Sequence, residues 1–156
     1  MDRRVLGSWL TTPGDIPDAT GRPQDFRGQR LDLPESGPGS VADVWRRVLA
    51  LCIDWFSALI ITGFVAPAFQ YGDADYGLLT LAIFAFQVTL LQWLTGSSFG
   101  QRITGIAVVR IDGGRLGILP LLLRTAMICL VIPPLVWDRD TRGLHDRAVR
   151  TVCVMR

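Results

Sequence analysis

The sequence predicts an all-α membrane protein with two transmembrane helices, a third hydrophobic segment and a small β element. Hydrophobic residues make up 49% of the 156 residues and charged residues 19%, below the charged fraction of about 25% that is typical of globular domains. The apolar residues are gathered at about 46–68, 77–95 and 116–137. Each stretch is close to the roughly 20 residues with which a helix crosses the hydrocarbon core of a bilayer. We therefore expect a membrane domain over residues 44–156 that lies in a lipid bilayer.

The residues before this domain, 1–43, are predicted to form a disordered or extended tail. They are rich in Pro, Gly, Asp, Arg and Ser and have no sustained apolar period. Such a stretch buries too little surface to offset the entropy of chain ordering.

The arginines predict how the first two helices are oriented. The loop between these helices, 70–76, holds two acids and no base, whereas arginines flank their other ends. By the positive-inside rule this loop faces outward. We therefore expect the N-terminus to be cytoplasmic.

The third hydrophobic segment has two interpretations. It is long enough to span, but it contains Arg124 and is broken by Pro133-Pro134, and five arginines follow it. A full span would place those arginines outside, against the positive-inside rule. Residues of about 103–111 and 149–155 have the composition of strands, and the two could pair only on one side of the membrane. The sequence favours a re-entrant or interfacial segment, with a third span as the alternative.

An acid lies inside the first apolar segment, and two arginines lie at the N-terminal end of that segment. Asp54 is about two helical turns, roughly 10 Å, from Arg47 and its neighbour Arg46. A charge at the centre of a span costs up to about 3 kcal/mol, so intramembrane acids usually face a partner or a cavity. Arg47 is too far along the helix to be that partner, and Arg124 is the only charged candidate at similar depth. Arg46 and Arg47 could instead meet Asp146 or lipid phosphates.

The remaining polar motifs favour structural roles. Asp112-Gly113 predicts a hairpin turn, because both residue types tolerate a positive φ. A phosphate-binding loop is not expected, since no Gly-Lys-Ser/Thr follows the glycines. His145, the only histidine, lies beside Asp146 with no nucleophile near in sequence, and we expect a turn that anchors the C-terminal strand rather than an acid–base pair.

Composition also argues against several classes of function. One histidine and three widely separated cysteines do not supply the three or four ligands of a metal site, so neither a metal nor a cofactor is expected. A net charge of +2 without a basic stripe does not indicate nucleic-acid binding. No catalytic constellation is evident, and we expect a protein that is not an enzyme.

Several of these motifs occur together in one known family. Arg47-x-x-Ala50-x-x-x-Asp54 at the first span and His145-Asp146-Arg147 before a terminal strand resemble the RDD family of bacterial membrane proteins, which is named for one Arg and two Asp. The rest of the resemblance lies in Gly96-x-Ser98-x-Gly100-x-Arg102, Val108-Val109, Asp112-Gly113, Arg124 and Thr151-Val152.

The resemblance, closest to actinobacterial members, implies an integral domain in the bacterial plasma membrane. It implies that Arg47, Asp54 and Asp146 are the signature residues, with Gly100 and Thr151 as supporting residues. Two positions depart from the family pattern. Gln101 stands where Lys is expected, and Arg150 replaces the small residue that usually precedes Thr151.

Two functions stay open. The first is a non-enzymatic accessory or scaffold subunit of a larger membrane complex, which the long tail and the few spans favour. The alternative is a homo-oligomeric small transporter or ion/proton exchanger, with Asp54 and Arg124 along its path. For the buried charges we favour a packing role over a transport path, because two or three spans make a poor conduit unless the protein oligomerises. Gln87 and Gln92 are also explained by packing, since interhelical hydrogen bonds in membranes contribute roughly 0.6–2 kcal/mol each.

Overall fold

The computed structural model describes residues 26–68, 71–130 and 142–156. Its helices and strands are α1 (Val44–Val65), α2 (Ala74–Thr95), α3 (Phe99–Ile103), β1 (Ile106–Arg110), α4 (Ile118–Cys129), α5 (Leu144–Ala148) and β2 (Thr151–Met155). The predicted fold class is confirmed, with two long apolar helices, a shorter one and a two-stranded sheet. Pro133-Pro134 and the end of the third hydrophobic segment lie outside the described residues.

The two long helices, α1 and α2, are long and apolar enough to cross a membrane. Each has 22 residues, which makes it about 33 Å long. They pack side by side through hydrogen bonds between their polar groups. The Gln87 amide donates to the Asp54 carbonyl at 2.7 Å and to Ser57 Oγ at 2.8 Å. Gln87 therefore joins the two helices near the middle of α1.

The third apolar helix, α4, is shorter than the predicted segment of 116–137. Its 12 residues reach about 18 Å, less than the hydrocarbon thickness of about 30 Å. It packs on α2, where Thr89 Oγ1 donates to Thr125 Oγ1 at 3.1 Å.

The sheet brings together the chain before α4 and the chain after it. β1 and β2 pair antiparallel, with the register running from Ile106↔Met155 to Arg110↔Thr151. Because β1 precedes α4 and β2 follows it, the chain before α4 and the described chain from residue 142 onward lie at the same end of the helix pair. This is the geometry that the re-entrant interpretation requires.

Residues 39–42, which were predicted to belong to the tail, pair with the free edge of β2. Gly39 N–H donates to Met155 O at 2.8 Å, Met155 N–H to Ser40 O at 2.8 Å, and Ala42 N–H to Cys153 O at 2.9 Å. The physical reason is that an unpaired strand edge leaves backbone groups without partners. The membrane domain therefore begins before residue 44, and residues 1–25 of the predicted tail lie outside the described residues.

The turn at Asp112-Gly113 forms, but the predicted hairpin does not. Gly113 has a φ of +69° and its N–H donates to Arg110 O at 3.1 Å. The chain then enters α4 instead of a second strand, and β1 finds its partner about 40 residues later in β2. A positive-φ turn fixes the local reversal of the chain but not the element that follows it.

The short helix α3 lies directly against α1. A Cβ added to Gly100 would overlap the carbonyl oxygen of Ala50 and would lie 2.8 Å from its carbonyl carbon. No side chain fits between the two backbones at this point. Gly100 therefore sets the distance between α1 and α3.

We predict that Gly100→Ala destabilises the protein, whereas the matched Gly77→Ala does not. The methyl group added at position 100 would force α3 away from α1, and overpacking of this kind costs about 1–3 kcal/mol. Gly77 lies inside α2 with nothing within 4 Å of an added Cβ, so its replacement should stabilise the helix by about 0.5–1 kcal/mol. SDS titration in detergent micelles measures both free energies of unfolding, and equal midpoints for the two variants would contradict the close contact.

Candidate functional site: a buried polar network

Asp54 holds the first turn of α3. Its side chain is buried, and its carboxylate accepts hydrogen bonds from Ser98 Oγ and, at 2.8 Å, from Gly100 N–H. Ser98 is the N-cap of α3, where its side chain and that of Gln101 form a capping box. A carboxylate is favourable beside the free amides of a helix N-terminus. The expected partner, Arg124, contacts Asp146 instead, and the hydrogen bonds to the Asp54 carboxyl group come from neutral groups of α3.

Two glutamines continue the network from α3 to α4. Gln101 Oε1 accepts from Ser98 N–H at 2.9 Å and from Gln92 Nε2 at 3.1 Å. The Gln92 oxygen in turn accepts from Arg124 Nη1 at 3.3 Å. A lysine at position 101 has no acceptor and could make neither of the two bonds to Gln101 Oε1. Gln101, which stands where the family pattern has Lys, therefore makes contacts with Ser98 and Gln92 that a lysine could not make.

A buried ion pair closes the network. Arg124 Nε lies 2.8 Å from Asp146 Oδ1, and the exposed fractions of the two side chains are 2% and 0%. Thr151 Oγ1 donates to the same carboxylate oxygen at 3.2 Å, and Arg124 Nη2 lies 3.4 Å from Cys153 Sγ. The pair thus joins α4 to α5 and to β2.

Arg47 brings α1 to the same cluster. Its Nη1 lies 3.9 Å from Asp146 Oδ2, and its Nη2 donates to Cys153 O at 3.3 Å. Burial favours the neutral acid, but the positive charges of Arg124 and Arg47 outweigh this and hold the pKa of Asp146 below its ordinary value. Asp146 is therefore ionised at neutral pH.

The arginine and the two aspartates of the signature thus occupy one connected network with two ends. Arg47 and Asp146 meet at the sheet, Asp54 lies at α3, and Ser98, Gln101, Gln92 and Arg124 connect them. The family model of the RDD family matches residues 41–150, more than half of the chain. The chain belongs to the RDD family. Comparison with curated proteins and comparison with solved structures give no match.

Membership agrees with the two long apolar helices, since RDD proteins are membrane proteins. The family match covers the sheet-pairing residues 41 and 42 that composition had assigned to the tail. In this RDD domain Asp54 connects α1 to α3, and Arg47 and Asp146 connect α1, α5 and the sheet.

Arg46 reaches the far end of α3. Its Nη1 donates at 3.0 Å to the carbonyl of Thr104, the C-cap residue of that helix, and its guanidinium lies 4.9 Å from the centre of the Trp45 ring. A cation is favourable where the last carbonyls of a helix lack partners. Adjacent arginines of α1 thus have separate targets, Arg46 on α3 and Arg47 on the sheet and α5.

His145 faces Asp146 although the two are sequence neighbours. Both belong to α5, and His145 Nε2 lies 3.6 Å from Asp146 Oδ2. Burial lowers the pKa of His145 to about 4, and the cations Arg124 and Arg47 act in the same direction against the attraction of Asp146. The imidazole is neutral at pH 7. Asp146 contacts β2 through Thr151, whose Oγ1 donates to its carboxylate.

Asp112 and Gly113 lie apart from the network, in the turn after β1. The Asp112 carboxylate accepts from Arg110 Nε at 2.8 Å, and this bond together with one from Gly114 N–H lowers the pKa of Asp112 to about 2. The pair is at the surface. The structure gives this motif a role in the turn and no contact with the signature residues.

A cavity of about 110 Å³ runs alongside the network between α1, α2 and α4. Asp54, Gln92, Arg124 and His145 are among its lining residues. In the part of the chain that the structure describes, no group of three or more His, Cys, Asp or Glu side chains is placed to hold a metal ion.

Sequence reasoning missed Ser98, Gln101 and Cys153 as members of this site. The spacing Ser98-x-x-Gln101 is itself the capping-box pattern, and it could have located the start of α3. Cys153 gave no signal, because a cysteine in a strand is usually a small apolar residue.

We predict that Asp146→Asn destabilises the RDD domain by about 3–5 kcal/mol, because it leaves the Arg124 charge buried without a counter-charge. Combining it with Arg124→Gln should cost less than the sum of the single changes, since the charge and its partner leave together. SDS titration of the three variants gives the coupling. Asp112→Asn, which breaks an exposed pair, is the control and should leave the midpoint unchanged; an Asp146→Asn variant as stable as this control would contradict the role of the buried pair.

We also predict that stability falls between about pH 6.5 and pH 4 because of His145. Its pKa is about 4 in the folded state against an ordinary value of 6.5, so in this window the unfolded chain binds the extra proton. The loss approaches about 3 kcal/mol at the acid end. His145→Gln should remove this part of the pH dependence of unfolding, and a slope that persists unchanged in the variant would show that other groups cause it.

Proposed function

We propose that this RDD protein is a non-enzymatic accessory or scaffold subunit of a larger complex in the bacterial plasma membrane. The observation that supports this best is how its buried charges are used. Asp54 fastens α3 to α1, and the Arg124–Asp146 pair fastens α4 to α5 and the sheet. These groups connect helices and strands within the protein.

The outer face of α1, the less buried of the two long helices, supplies the surface for a partner. In the most apolar 18-residue stretch of each long helix, only 22% is buried within the protein for α1 and 28% for α2. On α1 the exposed apolar side chains include Phe56, Ile60 and Phe64, which are 63%, 61% and 83% exposed. Two helices that present so much apolar surface suit packing against lipid and against the helices of another membrane protein.

The proposed orientation places the network at the cytoplasmic face. Arg46 and Arg47 lie at the network end of the helix pair, and Asp73 and Asp75 lie in and beside the loop at the other end. The positive-inside rule then gives a cytoplasmic N-terminus.

The test is the composition of the complex that the tagged full chain forms in its native membrane. We predict that mild extraction into lipid nanodiscs, followed by mass analysis, gives a stoichiometric foreign protein. Replacing Phe56, Ile60 and Phe64 together by Ala should lower its recovery without changing the unfolding midpoint, because these side chains pack on little within the chain. The matched control replaces the exposed Leu78 and Phe86 of α2 by Ala. Recovery of the chain alone, or equal recovery from all variants, would contradict the scaffold proposal.

The cavity beside Asp54 and Arg124 supports a second candidate, a homo-oligomeric small transporter or ion/proton exchanger. This candidate requires that the extracted protein contain copies of this chain only. It also requires ion or proton flux in liposomes that Asp54→Asn abolishes and the surface variant Asp112→Asn leaves intact. Flux that is the same in both variants would exclude Asp54 from any path.

A further inference from the structure

The short helix α3 has one buried face and one exposed face. Gly100 and Gln101 are buried against the two long helices. Phe99 and Ile103, which are four residues apart and so lie on one side of the helix, are 48% and 60% exposed. Arg102, beside Ile103, is exposed as well. The outer face of α3 therefore combines two apolar side chains with one cation.

The first turn of α1 borders this face. Arg46 Nη1 donates to the carbonyl of Thr104 at the C-terminal end of α3, and its guanidinium lies beside the Trp45 ring. Trp45 is 59% exposed, and tryptophan is enriched where a span meets the lipid head groups. The two elements together form one surface, called the α3 surface below. Its members are Trp45, Arg46, Phe99, Arg102 and Ile103.

The position of α3 along α1 corresponds to the interfacial layer of a bilayer. α1 begins at Val44, and Gly100 packs on Ala50, about 9 Å further along the helix axis. The length of α1, about 33 Å, is only slightly greater than the hydrocarbon thickness of about 30 Å. α3 therefore lies within about 10 Å of the membrane surface, which is the depth at which amphipathic interfacial helices bury their apolar side.

The α3 surface carries two cations. The Arg102 side chain has no partner within the described residues, and the Arg46 guanidinium contacts a carbonyl and a ring but no acid there. Arg46 Nε is buried without a hydrogen-bond partner in the same part of the chain. The carbonyl end of α3 offsets little of this charge, because the helix has only five residues and the N–H groups of Thr104 and Gly105 already donate to its carbonyls.

The charged groups near the α3 surface do not neutralise these cations. Asp43 lies 3.6 Å from Arg27 and is compensated by it. Asp32 and Glu35 are exposed and form no ion pair with either arginine in the described part of the chain. Arg156 has opposite charges on its side chain and its carboxyl group, which add no net charge. An anion from outside the chain is therefore the group that this surface suits.

We propose that the α3 surface binds the head groups of acidic phospholipids in the surrounding membrane. Phe99, Ile103 and Trp45 lie among the first carbons of the acyl chains. Arg102 reaches outward to the lipid phosphate, as long basic side chains near the ends of spans do, and Arg46 adds a second charge beside it. Lipid is favoured over a protein partner because the surface lies at the depth of the head groups, which themselves supply the anions. This inference needs only the membrane location of the RDD domain and is independent of the scaffold proposal.

The test uses the full chain, purified in dodecyl maltoside and examined by native mass spectrometry with added phosphatidylglycerol or phosphatidylcholine of the same acyl chains. We expect phosphatidylglycerol to bind about fivefold or more tightly than phosphatidylcholine, since one arginine near a membrane surface contributes about that preference. Equal binding of the two lipids would overturn the proposal.

Variants of Arg102 assign the preference to the α3 surface. Arg102→Gln should lower it about fivefold, and Arg102→Lys should retain it, because lysine keeps the charge. Neither should change the unfolding midpoint, since the side chain is exposed. The matched control is Arg30→Gln, which removes the same charge from an exposed residue beside Leu31. Leu31 packs on the sheet face opposite Cys153, and Cys153 contacts α4, so Arg30 lies on the side of the sheet away from the helices.

Two results of these variants would overturn the proposal. One is a preference that is the same in Arg102→Gln and Arg30→Gln, which would leave the α3 surface to a protein partner. The other is an equal loss in Arg102→Gln and Arg102→Lys, which would show that the positive charge is not what the lipid recognises.

A final arm separates a lipid from a soluble phosphate compound. Glycerol 3-phosphate carries the phosphate and hydroxyl chemistry of the head group without the acyl chains. It should fail to displace phosphatidylglycerol at concentrations about a hundredfold above that of the lipid, because it gains nothing from the apolar side chains Phe99 and Ile103. Full displacement would show a site for soluble anions and would overturn the lipid assignment.

Discussion

The buried pair between Arg124 and Asp146 constrains the fold more than any other contact. Neither group reaches water, and an unpaired charge in such surroundings costs several kcal/mol. The pair forms only if the chain after α4 returns to the end of the helix pair at which β1 lies. The antiparallel pairing of β1 with β2, and the attachment of 39–42 to β2, depend on the same return. A contact between two short helices, α4 and α5, therefore holds β1 and β2 at the same end of the helix pair.

Asp54 illustrates a second way to satisfy a polar side chain inside the helical region. Its carboxyl group accepts hydrogen bonds from one backbone N–H and one hydroxyl at the start of α3, so its hydrogen-bond partners are neutral groups rather than a cation. This solution demands close backbone contact, because the α3 amides must come within hydrogen-bonding distance of an α1 side chain. Gly100 permits this, since its missing side chain lets α3 rest on the backbone of Ala50. Gly100 and Asp54, which look unrelated in the sequence, therefore both contribute to the contact between α1 and α3.

The parts of this structure that depend on local sequence could be predicted. The apolar stretches gave α1 and α2 to within a few residues, and the β-branched run and the terminal Thr-Val run gave both strands. Choices among distant partners were harder. Arg124 was assigned to Asp54 because charge and depth were the only available criteria, whereas the return of the chain brings Asp146 closer. Asp112-Gly113 predicts a turn from its own conformational preferences, and the strand composition of the two runs about 103–111 and 149–155 predicts their pairing, which the structure confirms. The pairing of 39–42 leaves no local signal either, because the segment contributes backbone groups that every residue has.

The order of the hydrogen bonds in the network also helps to decide between the two proposed functions. Protonation of Asp54 would remove an acceptor from the first turn of α3, and the same capping box holds Gln101, whose oxygen accepts from Gln92. Gln92 is in turn a partner of Arg124. The hydrogen bonds therefore run from Asp54 through Ser98, Gln101 and Gln92 to the Arg124–Asp146 pair, which joins α4 to the sheet. A carrier role for Asp54 would require this chain of contacts to rearrange in every cycle, together with the close packing at Gly100. A network that joins so many elements is better suited to holding them in place, and this is the physical ground for ranking the scaffold above the transporter.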